Sequence, residues 1–405
     1  MQMKQLDPAE AAIAHRVDQA RMLDNTQAWA AINTGTGNLD GLAALAGLLA
    51  DTFASLPGEV TLRDPAPVTA IAPDGREVDR PHGRHLVLSV RPQADRRFLL
   101  TGHMDTVYPA DHPFQTLTWL DEDTLNGPGT ADMKAGLAVI HEALTTFETS
   151  AAAARVGYDV MINSDEETGS LASAALIDEL ARGKVAALTY EPSALPDGTL
   201  AHARGGSGNY AVTFGGRSAH AGRNPQDGRN ALVAAADCAL RLKAMQHADL
   251  PINPARIDGG AANNVVPDHA VLRFNIRPKS TEAADRFAND LKAMLADLEG
   301  AHEVSVHCQG GISRPPKPVD ASAQRLFDLV RASGAALGQA IGWQPSGGVC
   351  DGNNIAANHV PVVDTMGVRG GAIHSPDEYM IVPSLIERAQ LSAVVLHRLA
   401  MGDAL

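Results

Sequence analysis

An α/β fold interrupted by a ferredoxin-like insert is predicted by three features of the sequence. Up to about residue 205, short and near-continuously apolar stretches alternate with helical patterns, which argues for a central sheet flanked by helices and covered on both faces. Between residues 206 and 317 the order changes to βαββαβ, the signature of a self-contained ferredoxin-like α+β module. After "SRPPKP", a proline-rich link, two further helical segments return to the first domain. The expected organisation is therefore a discontinuous domain, 1–205 and 318–405, carrying an insert at 206–317. A chain of 405 residues is longer than one hydrophobic core usually supports, which agrees with two domains.

Taken in order, "MQMKQLDPAEAAIAHRVDQARML" carries charges every few residues and reads as an amphipathic helix, neither a secretory signal nor a membrane span. "NLDGLAALAGLLADTF" has helical apolar spacing, with Asn38 or Asp40 placed to cap it. "EVTLRD", "HLVLSV" and "RFLLTGHMD" follow as strands, and "DMKAGLAVIHEALTTF" as a helix. "GYDVMINSDEE" runs from strand into loop, "SLASAALIDELAR" is a helix, and "VAALTYEPS" is again a strand entering a loop. In the insert, "GNYAVTFGG", "ARIDGG", "HAVLRFNIRP" and "HEVSVHCQG" are strands, while "NALVAAADCALRLKAM" and "EAADRFANDLKAMLADL" are helices. "ASAQRLFDLVRASGAAL" and "SLIERAQLSAVVLHRLA" close the chain as helices.

Composition narrows the function classes. At 45% hydrophobic and 20% charged, the chain has the makeup of a folded globular protein. Its 33 Lys+Arg against 47 Asp+Glu give a formal charge of −14, which repels phosphate backbones and argues against a nucleic-acid partner. Cys238, Cys308 and Cys350 are odd in number, far apart and without CxxC spacing, so neither a disulfide framework nor a thiolate zinc site is suggested. Reduced thiols in a cytoplasm fit best, with no membrane partner.

The polar residues of interest gather where strands end. In "LLTGHMDTVYP" an apolar run finishes with His103 and Asp105, two positions apart and so on one face of a strand. Asp132 in "NGPGTADMKAG", Glu166 and Glu167 in "NSDEETGS", Glu191 in "YEPS" and His374 in "GGAIHSPDEY" stand at comparable places. Open α/β sheets put their sites outside the carboxyl ends of the strands, so all of these can converge on one crevice. Each signal alone has an ordinary structural explanation; their joint placement argues for metal. His, Asp and Glu without Cys suit Zn²⁺, Mn²⁺ or Co²⁺, and a carboxylate such as Asp132 can bridge two ions. A metal pair activates water for attack, and one carboxylate must stay off the metals to take its proton. The doublet Glu166, Glu167 supplies both kinds of candidate, since in ideal β-structure the two face opposite ways. Asp105 is then placed to orient His103.

With these residues assembled, the sequence resembles the M20 family of metallopeptidases, which includes carboxypeptidase G2, acetylornithine deacetylase, succinyl-diaminopimelate desuccinylase and aminoacylase-1. The resemblance rests on "NTGTGNLDGL", "TGHMDTV", "GPGTADMKAG", "SDEETGS", "EPS", "GGRSAHAGRNPQDGRNAL", "NNVVPDHAVLRFNIR" and "HSPDEY", in that order, and is nearest to the carboxypeptidase G2 branch. It implies a zinc-peptidase-type catalytic domain with a central mixed sheet, plus a ferredoxin-like lid that commonly mediates dimerisation. It implies two Zn²⁺ per chain, with Co²⁺ or Mn²⁺ as substitutes: one metal on His103 and Glu191, the other on Glu167 and His374, with Asp132 as the bridge. Glu166 becomes the general base that prepares a metal-bridging hydroxide, and Asp105 the partner of His103. The Asp132–Met133 bond resembles a cis peptide of the family. His220 in "SAHAG" is implied to reach the developing oxyanion, often from the partner subunit.

Asn264 and Arg277 match lid groups that hold the substrate's free carboxylate, and Arg314 in "SRPP" is a further candidate. The loop "PSGGVCDGNN" resembles a Gly-rich loop near the second metal, and Cys350 within it departs from the family pattern and reads as a packing residue. No basic cluster follows "EPS", so glutamate specificity lacks support and a wider range of N-acyl amino acids or dipeptides is open. The expected activity is that of a cytoplasmic, dimeric amidohydrolase cleaving an amide bond to an α-amino acid with a free carboxylate. The alternatives are an acetylornithine-type deacylase or dipeptidase and, from another class, a catalytically silent metal-binding sensor, which would need only the ligands and not Glu166, Asp105 or His220.

Overall fold

A computed structural model describes residues 5–403 of the chain. In chain order its main elements begin with helices α1 (Pro8–Ala14), α2 (Gln19–Ala30) and α3 (Leu39–Phe53), followed by strands β1 (Glu59–Arg63), β2 (His85–Val90) and β3 (Arg97–His103). Helix α4 (Ala135–Phe147), strand β4 (Gly157–Asn163), helix α5 (Ala174–Ala181) and strand β5 (Ala186–Thr189) come next. Then follow β6 (Ser207–Gly215), α6 (Ala231–Met245), β7 (Ile252–Gly259), β8 (His269–Ile276), α7 (Thr281–His302) and β9 (Ser305–Arg314). The chain closes with α8 (Ala321–Ala336), α9 (Asp351–Ala357), β10 (Val362–Asp364) and α10 (Ser384–Met401).

These elements form two units, 1–66 with 81–203 and 319–405, and 67–80 with 204–318. In the first, six strands lie in the order β1-β2-β4-β3-β5-β10. The sheet is mixed: β1, β2 and β4 pair antiparallel, and β4, β3, β5 and β10 run parallel. Successive residues face opposite cores. Leu100 and Val160 join the cluster formed with α4 and α10, whereas Leu99 and Met161 pack with Ile177 of α5 and Ile355 of α9. Burial on both faces is why these strands read as unbroken apolar runs. Helix α4 is buried at every residue except Thr145, as befits a helix enclosed between a sheet and α10.

The second unit orders its strands β7-β8-β6-β9, all antiparallel, the ferredoxin-like arrangement. Its core sets Val212, Phe214, Leu272 and Phe274 of the sheet against Cys238 and Leu242 of α6 and Phe287 and Leu291 of α7.

Three expectations need correction. The single N-terminal helix is two, because Asp7, in a capping box with Glu10, starts α1 and Asp18 starts α2 afresh; residues 1–4 of that expected helix lie outside those described. Residues 67–80, expected in the first domain, pack with the second unit. There the hairpin of Thr69–Ile71 and Glu77–Asp79 is bound by Arg273 Nη2 to the Ile71 carbonyl (2.7 Å) and by Gln309 Nε2 to Thr69 Oγ1 (2.9 Å). The expected Gly-rich loop around Cys350 turns into α9, whose first turn Asn353 supports by accepting the Cys350 N–H at 3.2 Å. Cys350 is buried there.

Candidate metal centre

Register brings the strand ends together. His103 pairs with Asn163 across β3 and β4, and Thr101 with Thr189 across β3 and β5, so all three parallel strands finish at one edge. His103 ends β3; Glu166 and Glu167 lie just beyond β4 in a short 3₁₀ turn, Glu166–Thr168; Glu191 lies two residues beyond β5. That turn resolves the glutamate doublet, because it breaks the β alternation and brings only Glu167 among the candidate ligands. Asp132 comes from the π-turn Thr130–Lys134 that leads into α4, where the Asp132–Met133 peptide is cis. Glycine at 136 lets α4 approach this edge: a Cβ there would stand 2.3 Å from the Tyr190 carbonyl oxygen. His374 follows the short strand Gly370–Gly371 and holds a φ of 63°, a conformation that a non-glycine residue adopts at a cost.

Two triads result, His103 with Asp132 and Glu191, and Asp132 with Glu167 and His374, each with its ligand atoms within 4.8 Å of one another. His103 Nε2 lies 3.1 Å from Asp132 Oδ1 and 3.6 Å from Glu191 Oε2. On the other side, His374 Nε2 lies 3.4 Å from Asp132 Oδ2 and 3.2 Å from Glu167 Oε2. Asp132 thus presents one oxygen to each imidazole, the disposition of a bridging carboxylate. The other ring nitrogen of His103, Nδ1, faces the Asp105 carbonyl at 3.0 Å and its carboxylate at 3.4 Å, which aims Nε2 at the cluster. Asp105 also accepts the backbone N–H groups of Glu166 (3.1 Å) and Glu167 (3.2 Å) and the hydroxyl of Thr36 (2.8 Å). One buried carboxylate therefore positions the imidazole and the glutamate turn together.

The electrostatics are those of a cation site. Burial opposes protonation of His103, but Glu191, Asp105 and Asp132 outweigh it and hold its pKa well above the usual histidine range. His374 is raised to about 10 by its hydrogen bonds to Asp132 and Glu167. Burial and the neighbouring Asp132 push Glu167 up to about 8. Asp132 is lowered despite burial, because both imidazoles bond to it. So many carboxylates hold positive charge on imidazoles that would otherwise be neutral, and divalent cations supply that charge without protons. Two imidazoles and three carboxylates, with no thiolate, fit a pair of ions that take N and O ligands.

Several residues here carry no signal in their local sequence. Glu378, buried, accepts the N–H groups of Ala131 and Asp132 through one oxygen, both at 3.0 Å, and the Tyr108 hydroxyl through the other at 2.9 Å. Burial, and then Asp132, raise its pKa to about 7. Lys134 Nζ is buried and donates to the Ile32 carbonyl at 2.8 Å. Behind the glutamate turn, Asp351 of α9 accepts from Asn163 (2.8 Å) and from Ser170 (2.6 Å). Glu378 stands inside "HSPDEY", the block that carries His374, so its proximity to that histidine was the one available hint.

The remaining candidates belong to the second unit. His220 and Asn264 lie on facing backbone segments, with a bridge between His220 and Val265 and the Ala221 N–H on the Asn264 carbonyl at 2.9 Å. Both are exposed, and His220 Nδ1 accepts the Gly222 N–H at 3.1 Å. Arg277, just past β8, is exposed and donates through Nε to Asn275 at 2.9 Å, whereas Arg314 at the end of β9 is buried.

In the first unit a cleft of about 640 Å³ adjoins the cluster, lined by residues 35–38, by Thr106, Val107, Pro109 and Ala110, and by Glu167 and Thr168. No helix among the described residues is long and apolar enough to cross a membrane.

Comparison with known proteins agrees with this geometry. The family model described as peptidase family M20/M25/M40 matches residues 99–398. Carboxypeptidase G2 from Pseudomonas sp. (strain RS-16) is 28% identical over 379 residues, 92% of this chain and 87% of its own length. Succinyl-diaminopimelate desuccinylase from Rhodospirillum centenum (strain ATCC 51521 / SW) is 28% identical over 326 residues, 75% of this chain and 82% of its own. Among solved structures, aminopeptidase PepT from Bacillus cereus ATCC 10987 has a TM-score of 0.70 at 21% identity, covering 95% of this chain and 100% of that one. The M20 family metallo-carboxypeptidase Sso-CP2 from Sulfolobus solfataricus has a TM-score of 0.68 at 14% identity, covering 94% and 99%. At such identities these two speak to the fold alone.

Proposed function

The chain belongs to peptidase family M20/M25/M40, and from that premise we propose that it hydrolyses the amide bond of an N-acyl amino acid or small peptide whose amine half carries a free carboxylate. The ions it uses are two zincs, one on His103, Asp132 and Glu191, the other on Asp132, Glu167 and His374. The observation that carries this reading is the pair of triads sharing Asp132.

What zinc supplies when bound is Lewis-acid polarisation of a carbonyl and acidification of water. Glu166 takes the proton of the attacking water on its carboxylate and delivers it to the departing nitrogen, so that an amine rather than an amide anion leaves. Asp105 keeps His103 Nε2 aimed and holds the backbone of Glu166 and Glu167. His220 donates to the carbonyl oxygen as negative charge develops there, and Arg277, Asn264 and Arg314 recognise the free carboxylate. These roles in the second unit rest on the resemblance of their motifs, as does dimerisation through that unit. Cys238, Cys308 and Cys350 form no disulfide among the described residues, which suits a reducing cytoplasm.

The test compares zinc-loaded protein on an N-acyl amino acid and on the same compound with its carboxylate converted to a carboxamide. Loss of at least a hundredfold in kcat/KM with the carboxamide is expected; equal rates overturn the assigned substrate class.

A further inference from the structure

We propose that the cleft beside Glu167 receives the acyl half of the substrate and selects neutral, extended acyl groups over anionic ones. The inference rests on the amidohydrolase reading above and adds the identity of the acyl group to it.

Position comes first. Glu167 lines the cleft and belongs to one of the two triads, and Thr36, on the facing wall, donates to Asp105, which also holds the Glu166 and Glu167 amides. A group in the cleft therefore lies beside the cluster. About 640 Å³ lies within the range of small-molecule sites and far exceeds what an acetyl group fills.

The lining decides the chemistry. It contains no Lys, Arg or His, and its one charged side chain is the carboxylate of Glu167. The polar side chains are mostly engaged by the protein itself: Thr36 on Asp105, Asn38 on the Asn33 carbonyl and the Gly41 N–H, and Thr168 on the Asp165 carbonyl. Val107, Pro109 and Ala110 are the apolar side chains of the lining. A carboxylate entering here would lose its hydration with no basic side chain in the lining to replace it, so both an acidic acyl group and the amine half's own carboxylate are disfavoured. A neutral acyl chain does not meet that cost.

The wall is also pre-formed. Gly35 and Thr106 form a bridge, and the Thr106 N–H reaches the Thr34 carbonyl at 3.0 Å. Asn33 Nδ2 donates to the Tyr108 carbonyl at 3.0 Å, and a Cβ on Gly35 would stand 2.4 Å from that same oxygen, so the two loops are in close contact. Gly37 differs: a Cβ there meets no atom within 4 Å, so a side chain at 37 occupies space in the cleft without displacing its wall.

The experiment measures kcat/KM for the N-acetyl, N-pentanoyl and N-succinyl derivatives of one amino acid, pentanoyl and succinyl being nearly equal in size and different in charge. For the zinc-loaded wild type, pentanoyl is expected to exceed succinyl at least tenfold. Gly37→Phe should lower the pentanoyl-to-acetyl ratio at least tenfold by filling the cleft, and Gly37→Arg should raise the succinyl-to-pentanoyl ratio at least tenfold by supplying the missing cation. Ratios taken within one preparation do not depend on the folded fraction, and a gain on succinyl cannot come from misfolding. A wild-type preference for succinyl, or ratios that neither substitution moves, overturns the cleft assignment while leaving the amidohydrolase reading in place. Failure of the wild type to cleave any derivative overturns both.

Discussion

Glu378 accepts the backbone N–H of Asp132 at 3.0 Å, so the residue that the two triads share is held from behind by a second buried carboxylate. The same oxygen takes the Ala131 N–H, and Tyr108 closes the network on the other. Glu378→Ala leaves these donors buried without their acceptor, at about 1–3 kcal/mol for each unsatisfied group. A loss of the supporting partner also typically weakens metal binding ~10–100-fold. Calorimetric zinc titration of the variant should show that weakening alongside a lower denaturation midpoint; unchanged affinity would deny Glu378 its positioning role.

Glu166 lies outside both triads, so its removal should separate chemistry from metal binding. Glu166→Gln is expected to retain wild-type zinc content while kcat falls by roughly 10²–10⁴, the usual contribution of a general base. Metal analysis beside steady-state kinetics checks this, and turnover at the wild-type rate would remove Glu166 from the mechanism.

Gly136 and Gly47 make a matched pair. A Cβ at 136 would stand 2.3 Å from the Tyr190 carbonyl, next to Glu191, whereas one at 47 in α3 meets nothing within 4 Å. Gly136→Ala should therefore destabilise by roughly 1–3 kcal/mol and weaken zinc binding as α4 is forced away from the end of β5. Gly47→Ala should stabilise by roughly 0.5–1 kcal/mol through better helix propensity. Urea denaturation of both variants decides the matter; a neutral effect at 136 would show that the edge tolerates displacement.

His141 supplies a pH dependence remote from the metals. Burial in α4, followed by the charge of Arg21, lowers its pKa to about 4, and its Nε2 lies 2.9 Å from Ser55 Oγ. The folded value is below the unfolded one of about 6.5, so the full stability is present above pH ~6.5. As the pH falls from there towards 4, the unfolded chain binds a proton that the folded chain refuses, and stability is lost. At about 1.4 kcal/mol per pH unit the loss reaches up to ~3 kcal/mol. Denaturation midpoints at pH 7.5, 5.5 and 4.5 should fall more steeply for the wild type than for His141→Gln; parallel slopes would contradict the assignment.

The sequence carried the strands and their ends clearly, because a strand buried on both faces must be apolar throughout and then turn polar where it meets the crevice. His103 after "LLTG" and Glu191 after "ALTY" are legible for that reason. Contacts between distant segments left no such trace. Glu378 reaches Asp132 across 246 residues, and nothing local marks it as a hydrogen-bond acceptor rather than a surface acid. The hairpin at 69–79 has ordinary strand composition, and its membership of the second unit is decided by Arg273 and Gln309, some two hundred residues later. The division of the N-terminal region into α1 and α2 was visible in Asp7 and Asp18, both placed as caps, but the continuous amphipathic pattern masked it.

The most direct measurement of the central claim is amino-acid release from an N-acyl amino acid by metal-free protein as zinc is added in known equivalents. Activity absent without zinc, rising and then breaking to a plateau at two equivalents per chain, is expected of a pair of sites joined by Asp132. Full activity without metal, a break at one equivalent, or no release at any zinc concentration would contradict it.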